Sequence, residues 1–336
     1  MDIDYLLALQ GVRQSLPEPV ELIAVAISFI GEGPILVALA LVVYWCIDKR
    51  MGLFGMVAMA SGNFVNQLLK NIMCVYRPWI RDARILPAEA AIEGAGGYSF
   101  PSGHCTGVAT VLGSFAWFMR KTHRALAVIC IVVIAVVAFT RNFLGVHTPQ
   151  DVLVGLLLAV VTIAAVQAFF NWIDRYDAMV PGHKKDLMVV VIVFVICVAS
   201  IVFIVLKPYP MDYVDGVLLV EPTSMQKGSF EAAGLFAGLA LAWYLERRFV
   251  AFTTDKSIDT RTRGIRGVVG VGLVGITYIV TDKLFKALLP YVWAKLFAMF
   301  VVAFIAVFVV PFAFSALERR MGKPSGEQVP DDDEAR

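Results

Sequence analysis

Charge is what this sequence has least of. Of its 336 residues only 17% are Asp, Glu, Lys or Arg, while 59% are hydrophobic. Soluble domains carry roughly 25% and 45–50% respectively. The shortage excludes an ordinary water-soluble protein, because too little polar surface remains to cover the apolar mass. Cysteine is equally uninformative about stapling. Cys46, Cys74, Cys105, Cys130 and Cys197 are scattered, with no CxxC pair, which argues against a disulfide framework and a zinc site and predicts small buried apolar residues instead. A basic n-region and a small-residue cleavage site are missing from MDIDYLLALQ, so no secretory signal is expected. Ile3, Leu6, Leu7 and Val12 form either one stripe of a short interfacial helix or part of a frayed end. The net charge is +2, and nucleic acid is not an expected partner.

What the sequence has in quantity is long apolar runs. Leu187 to Leu206 carries no charge over twenty residues. About twenty helical residues cross the ~30 Å hydrocarbon core. Several such runs predict an all-α, polytopic membrane helix bundle of about nine spans. These lie near residues 24–47, 51–71, 103–120, 125–142, 151–172, 187–206, 229–246, 266–288 and 291–316. Gly31-Glu32-Gly33-Pro34 interrupts the first, and Asp282, Lys283 and Lys286 crowd the end of the eighth. The expected organisation is an interfacial segment (1–20), a catalytic membrane core (21–175), additional C-terminal spans (176–317) and a disordered acidic tail (318–336) containing Asp331 to Glu334. No internal repeat and no soluble domain is apparent.

Nine spans place alternate loops on opposite sides. Lys49, Arg50, Arg120, Lys121, Arg124, Lys184, Lys185, Arg247, Arg248, Arg319 and Arg320 are dense in the short loops of one side. The positive-inside rule makes that side cytoplasmic. The N-terminus and the loops near 72–102 and 143–150 are then expected outside, with the C-terminus inside a cell membrane.

Three polar clusters fall in or next to those two outer loops. Lys70 and Arg77-Pro78 come first. A lysine and an arginine seven apart share a helical face if the helix continues that far, and Pro78 helps to end it. Two cations at a helix end suit a dianion, although snorkelling to the interface would use the same residues. Pro101-Ser102-Gly103-His104 comes second. Ser102 can cap a helix whose unpaired first-turn N–H groups bind anions, with Gly103 allowing close approach and His104 beside it. Arg141, His147 and Asp151 come third, with Pro149 suited to the first turn of a helix beginning near Thr148. Four residues then separate His147 from Asp151, close enough for a carboxylate–imidazole hydrogen bond. Such a bond fixes which ring nitrogen is protonated and frees the other to attack. Ten residue types in fixed order on one side make chance agreement negligible.

The three clusters resemble the signature of the type 2 phosphatidic acid phosphatase family, which includes lipid phosphate phosphatases, the glucose-6-phosphatase catalytic subunit and vanadium haloperoxidases. The resemblance covers roughly residues 51–172. One departure is visible, since Thr140 stands where the family usually has serine. The resemblance implies that His147 attacks phosphorus to form a phosphohistidine and that Asp151 orients it. It also implies that His104 protonates the leaving alkoxide and then activates water. Lys70, Arg77, Arg141 and the backbone at Ser102 and Gly103 would hold the phosphoryl oxygens. With these charges available, no metal and no cofactor is expected.

His123 and His183 fall in basic cytoplasmic loops and are expected to be solvated. Glu32, an acid inside a span, is expected either to touch substrate or an active-site cation, or to make a structural hydrogen bond beside Pro34. The expected partner is a phosphorylated lipid or small phosphate monoester, with membrane lipid around it. A lipid phosphatase leads. A hydrolase of soluble sugar phosphates with a glucose-6-phosphatase-like layout is the second reading, and a non-catalytic anion transporter or lipid binder the third. His104, His147 and Asp151 speak against the third, since holding an anion needs none of them.

Overall fold

Hydrocarbon offers no partner for a backbone amide, so apolar runs become helices that satisfy themselves. A computed structural model describes residues 2–179, 184–214, 216–255 and 258–320. In chain order the helices are α1 (Asp2–Ser15), α2 (Glu18–Phe29), α3 (Gly33–Val42), α4 (Lys49–Met73), α5 (Pro78–Arg81), α6 (Glu89–Ile92), α7 (Gly103–Met119), α8 (Arg124–Phe143), α9 (Pro149–Met179) and α10 (Lys184–Leu206). A two-residue hairpin, β1 (Tyr213–Val214) with β2 (Val217–Leu218), turns at Gly216, whose φ is +79°. Then come α11 (Pro222–Phe249), α12 (Thr260–Leu288), α13 (Tyr291–Phe304) and α14 (Val310–Arg320). The chain is an all-α, multi-pass membrane bundle. His183 and the acidic tail at Asp331 to Glu334 lie outside the described residues.

Among the described residues α8 to α12 and the continuous helical stretch Tyr291–Arg320, which contains α13 and α14, are six segments long and apolar enough to cross a membrane, and the bent pair α2–α3 makes a seventh if it is one span. Nine were expected. The other two regions are helical but fall short for physical reasons. α7 has only 17 residues, and α4 carries Asn63, Asn66, Gln67, Lys70 and Asn71 along its second half. The first apolar run breaks at Ile30–Glu32 with a 52° bend, as Gly31-Glu32-Gly33-Pro34 predicts. α12, by contrast, continues unbroken through Asp282 and Lys283 to Leu288.

The chain divides into two compact units. The first comprises Met1–Val37, Phe54–Ile173 and Ser200–Ser229. Here α8 packs against α7, α2 and α1. α1 is a docked helix, not a frayed end. Leu6 is buried, the side chain of Gln10 accepts from the N–H of Leu86, and Arg13 donates to the carbonyls of Leu86 and Phe143. Gly155 of α9 permits the approach of the turn before α7, because a Cβ there would lie 2.8 Å from the carbonyl oxygen of Ser102. Buried polar residues gather at one end of this unit, where α4 and α8 finish and α7 and α9 begin.

The second unit comprises Ala38–Leu53, Asp174–Ala199 and Phe230–Arg336. Gly234 and Gly238 let α11 press onto the backbone of α13 at Leu296 and Phe300, the small-residue packing that membranes favour. Buried charges are paired. Arg266 donates to both carboxylate oxygens of Glu318 at 2.8 and 2.7 Å, and Lys295 lies 2.8 Å from Asp282. Such pairs are retained because a lone ion in this setting is costly. The five cysteines are free; Cys105 and Cys197 are buried and the others half-buried.

Candidate active site

The polar end of the first unit is built around one tight turn. α8 finishes at Phe143, and Gly145 then takes φ +72°, a left-handed conformation that glycine adopts without steric cost. A side chain there would also meet Pro87, 3.3 Å from the added Cβ. Beyond the glycine, the N–H groups of Val146 and His147 both donate to the carbonyl of Arg141 at 3.2 Å, and Asn142 Nδ2 donates to the carbonyl of His147 at 2.9 Å. His147 is thereby held, 1% exposed, just before α9. Leu144 and Val146 bury their side chains with Ala88, Ala91 and Phe143, so apolar packing fixes the polar turn.

α9 opens with reciprocal capping. The N–H of Thr148 donates to Oδ2 of Asp151 at 2.7 Å, and the Asp151 N–H faces Thr148 Oγ1 at 3.3 Å. The same Oδ2 accepts from Ser99 Oγ at 2.6 Å and lies 3.4 Å from Nδ1 of His147. Ser99 Oγ itself is 3.3 Å from that Nδ1. The carboxylate–imidazole link expected from spacing is therefore shared with a hydroxyl. Ser99 escapes sequence reasoning because its link to Asp151 is tertiary, across 52 positions. The Thr-x-x-Asp spacing was a readable sign of the cap.

Lys70 and Arg77 do not share a helical face. α4 ends at Met73, Cys74 takes φ +49°, and Arg77 reaches the site from extended backbone with φ −64° and ψ 152°. Both cations still converge there, largely fastening the loops. Lys70 Nζ donates to the carbonyls of Tyr98 and Ser99 at 2.8 and 3.1 Å. Arg77 donates to Gly96, Gly97 and Val146 carbonyls at 3.0, 3.1 and 2.9 Å. Its Nη1 also lies 3.0 Å from Nε2 of His147. Arg141 differs. Nη1 donates to Ser28 Oγ, while Nε and Nη2 are buried without a partner among the described residues. Buried guanidinium donors left open in this way cost free energy unless an acceptor arrives.

Ser102 caps α7 loosely, its Oγ 3.5 Å from the N–H of Cys105. Its own N–H is spent on the carbonyl of Asp151 at 2.9 Å and is not free for an anion, contrary to expectation. The amides of Gly103 and His104 remain as first-turn donors, which helix geometry leaves without intrahelical partners. Asn66 Nδ2 steadies this turn, donating to Thr106 Oγ1 at 3.0 Å. Thr140 uses its hydroxyl proton on the carbonyl of Val137 at 2.7 Å. His104 turns Nε2 toward Glu32, and both line a cavity of about 410 Å³ together with Arg141, Ser28 and Glu93. His123 is exposed, beside Thr122.

The electrostatics favour an incoming anion. Lys70, Arg77 and Arg141 are 6%, 4% and 2% exposed, so three cations are crowded where water cannot screen them. Burial foremost, then Arg77, Arg141 and Lys70, push the pKa of His147 well below its usual value. The imidazole is therefore neutral at physiological pH, with the Arg77 proton on Nε2 implying that Nδ1 carries the ring's own hydrogen.

Fold and site together define a multi-pass helical membrane protein in which a buried, tethered histidine sits among three buried cations, one of which, Arg141, also lines a cavity with His104 and Glu32. A family model described as the PAP2 superfamily matches residues 52–175, and one described as the PAP2 superfamily phosphatase transmembrane extension matches residues 230–322. The chain belongs to the PAP2 superfamily. It is 32% identical over 132 residues to a phosphatidylglycerophosphatase B of Bacillus subtilis, covering 37% of this chain and 61% of that protein. It is 25% identical over 213 residues to a sphingosine-1-phosphate phosphatase 2 of Mus musculus, covering 61% of this chain and 53% of that one. The matches thus span less than two thirds of either relative. No solved structure matches.

Proposed function

We propose that this protein is a membrane phosphatase that hydrolyses lipid phosphate monoesters through a phosphohistidine on His147. The observation that carries the reading is the pairing of an oriented, neutral imidazole with the open donors of Arg141. His147 Nε2 attacks phosphorus once the phosphate draws Arg77 Nη1 onto its own oxygens. The positive charge that develops on the ring is stabilised through Nδ1 by Ser99 and Asp151. His104 supplies the proton to the leaving oxygen, and takes one from the water that opens the intermediate. Arg141, Arg77, Lys70 and the amides of Gly103 and His104 stabilise the phosphoryl oxygens, the main task in phosphoryl transfer. That cation set makes the reaction metal-independent. Both named relatives carry a lipid phosphate in their names, which favours a lipid over a sugar. The distribution of basic loops favours a site at the outer face.

The experiment is phosphate release from detergent-solubilised phosphatidate, phosphatidylglycerophosphate, sphingosine 1-phosphate, a polyprenyl phosphate and glucose 6-phosphate, by wild type and His147→Ala, with and without EDTA. Release from a lipid by wild type alone, unaffected by EDTA, is expected. Equal release by both proteins removes His147 as nucleophile, and preference for glucose 6-phosphate removes the lipid reading.

A further inference from the structure

The break in the first apolar run delivers an acid to the site. Glu32 sits where α2 gives way to α3, and its Oε1 lies 3.1 Å from Nε2 of His104. Neighbouring glycines close on the pair. A Cβ on Gly94 would lie 2.8 Å from that same oxygen, and one on Gly31 would lie 3.2 Å from Cδ2 of His104. Glu32, Gly94 and Gly31 thus pack one edge of the ring, leaving the Nδ1 edge as the other side. Both side chains line the cavity that also receives Arg141. An ionisable group placed within a broken membrane span is costly and calls for a function.

We propose that Glu32 is the positioning carboxylate of His104, giving the site a second carboxylate–imidazole pair. The inference rests on the phosphatase reading above. To donate a proton to the leaving oxygen, His104 must enter the reaction as an imidazolium. Burial and the nearby guanidinium of Arg141 both work against a positive ring, and a carboxylate 3.1 Å away opposes them in part. Glu32 holds the Nε2 proton, so the proton transferred is the one on Nδ1. As the P–O bond to the leaving group breaks and the bond to His147 Nε2 forms, that proton passes to the departing oxygen. His104 is left as the neutral Nε2–H tautomer, fixed by Glu32. Water then attacks phosphorus, the bond from phosphorus to His147 Nε2 breaks, and the water's proton passes to Nδ1 of His104, restoring its imidazolium. No further reactant is required.

The test compares two esters, because an alkoxide needs a proton to leave and a nitrophenolate does not. Glu32→Gln keeps the size and an acceptor but removes the charge. Its kcat on an alkyl phosphate is expected to fall about tenfold to a hundredfold, with the basic limb of kcat/KM moved to lower pH. Its loss on p-nitrophenyl phosphate is expected to stay within about threefold. Glu32→Asp should recover part of the alkyl rate, and in a His104→Gln background Glu32→Gln should add almost nothing. Equal losses on both esters, with an unmoved pH profile, would overturn the pairing while leaving the phosphatase reading intact. Wild-type rates in Glu32→Gln would do the same. A wild type that releases phosphate from neither ester would overturn the phosphatase reading, and this pairing with it.

Discussion

Ser99 donates its hydroxyl proton to Oδ2 of Asp151 at 2.6 Å. Because that hydroxyl also sits 3.3 Å from Nδ1 of His147, charge on the ring is felt by the carboxylate partly through the serine. Removing the hydroxyl leaves a buried ring N–H facing a carboxylate at 3.4 Å, a weak bond by distance. An under-satisfied buried donor costs about 1–3 kcal/mol, which is roughly tenfold to a hundredfold in rate. Ser99→Ala should therefore lower kcat by that factor with KM little changed, as steady-state phosphate release will show. Asp151→Asn should cost more, because the Thr148 N–H and Ser99 lose their charged acceptor as well. A Ser99→Ala enzyme with wild-type kcat would mean that Asp151 acts on the ring directly.

The three cations should separate into two kinds when truncated. Arg77 satisfies the carbonyls of Gly96, Gly97 and Val146, and each orphaned buried acceptor costs about 1–3 kcal/mol. Arg77→Ala should lower the melting temperature markedly as well as abolishing turnover. Arg141 leaves Nε and Nη2 unpartnered among the described residues, so its truncation removes a buried charge whose donors are largely unsatisfied. Arg141→Ala should leave the melting temperature of the ligand-free protein unchanged or raise it, while kcat/KM falls about 10²–10³-fold. Thermal unfolding in detergent, with and without orthovanadate, measures the contrast. Vanadate should stabilise wild type and not Arg141→Ala. Equal destabilisation by both truncations would make Arg141 a structural residue.

His147 offers a direct electrostatic check. Its pKa is depressed by burial and by Arg77, Arg141 and Lys70, so the neutral form persists as pH falls through about 6.5, the ordinary histidine value. With four histidines in the chain, histidine-selective isotopic labelling gives four ring signals, and His147→Gln identifies one by its loss. That signal should stay at its neutral position at pH 6 in the free protein. Saturating phosphate should move the titration upward, since a dianion cancels the cations that depress it. A free-protein midpoint at or above 6.5 would refute the crowded-cation account.

How much of this was legible in the sequence depends on the range of the interaction. The all-α membrane class follows from runs such as Leu187 to Leu206, because apolarity over twenty residues has one solution in lipid. The residues of the three clusters meet in space, since each cluster is local and flanks a helix end. Other features were out of reach. The helical face supposed for Lys70 and Arg77 extrapolated a period past Cys74, where the backbone turns to φ +49°. The N–H of Ser102 looked free because its acceptor, the carbonyl of Asp151, is 49 residues away in the chain. Ser99, which ties to Asp151, is one serine among many until the fold is known. The broken span was readable at Gly31 to Pro34, but not the identity of the group that Glu32 would meet.

Gly155 tests whether the two halves of the site are held by one contact. A Cβ at that position would stand 2.8 Å from the carbonyl oxygen of Ser102 and 3.2 Å from Cβ of Cys105. A backbone carbonyl cannot swing aside as a flexible side-chain end can. This one also accepts from the N–H and the hydroxyl of Thr106 at 3.1 and 3.0 Å. The added methyl must therefore push the turn before α7 away from α9, stretching the bond from the Ser102 N–H to the carbonyl of Asp151. Overpacking of this kind costs about 1–3 kcal/mol, and the shift separates His104 and the first-turn amides of α7 from His147. Gly155→Ala should lower the melting temperature by several degrees and kcat by more than Ser99→Ala does. Gly264→Ala, on a helix with no described residue within 4 Å of the new methyl, is the control and should be neutral or stabilising by up to about 1 kcal/mol. Wild-type activity in Gly155→Ala would show that the α7 turn is not positioned by its approach to α9.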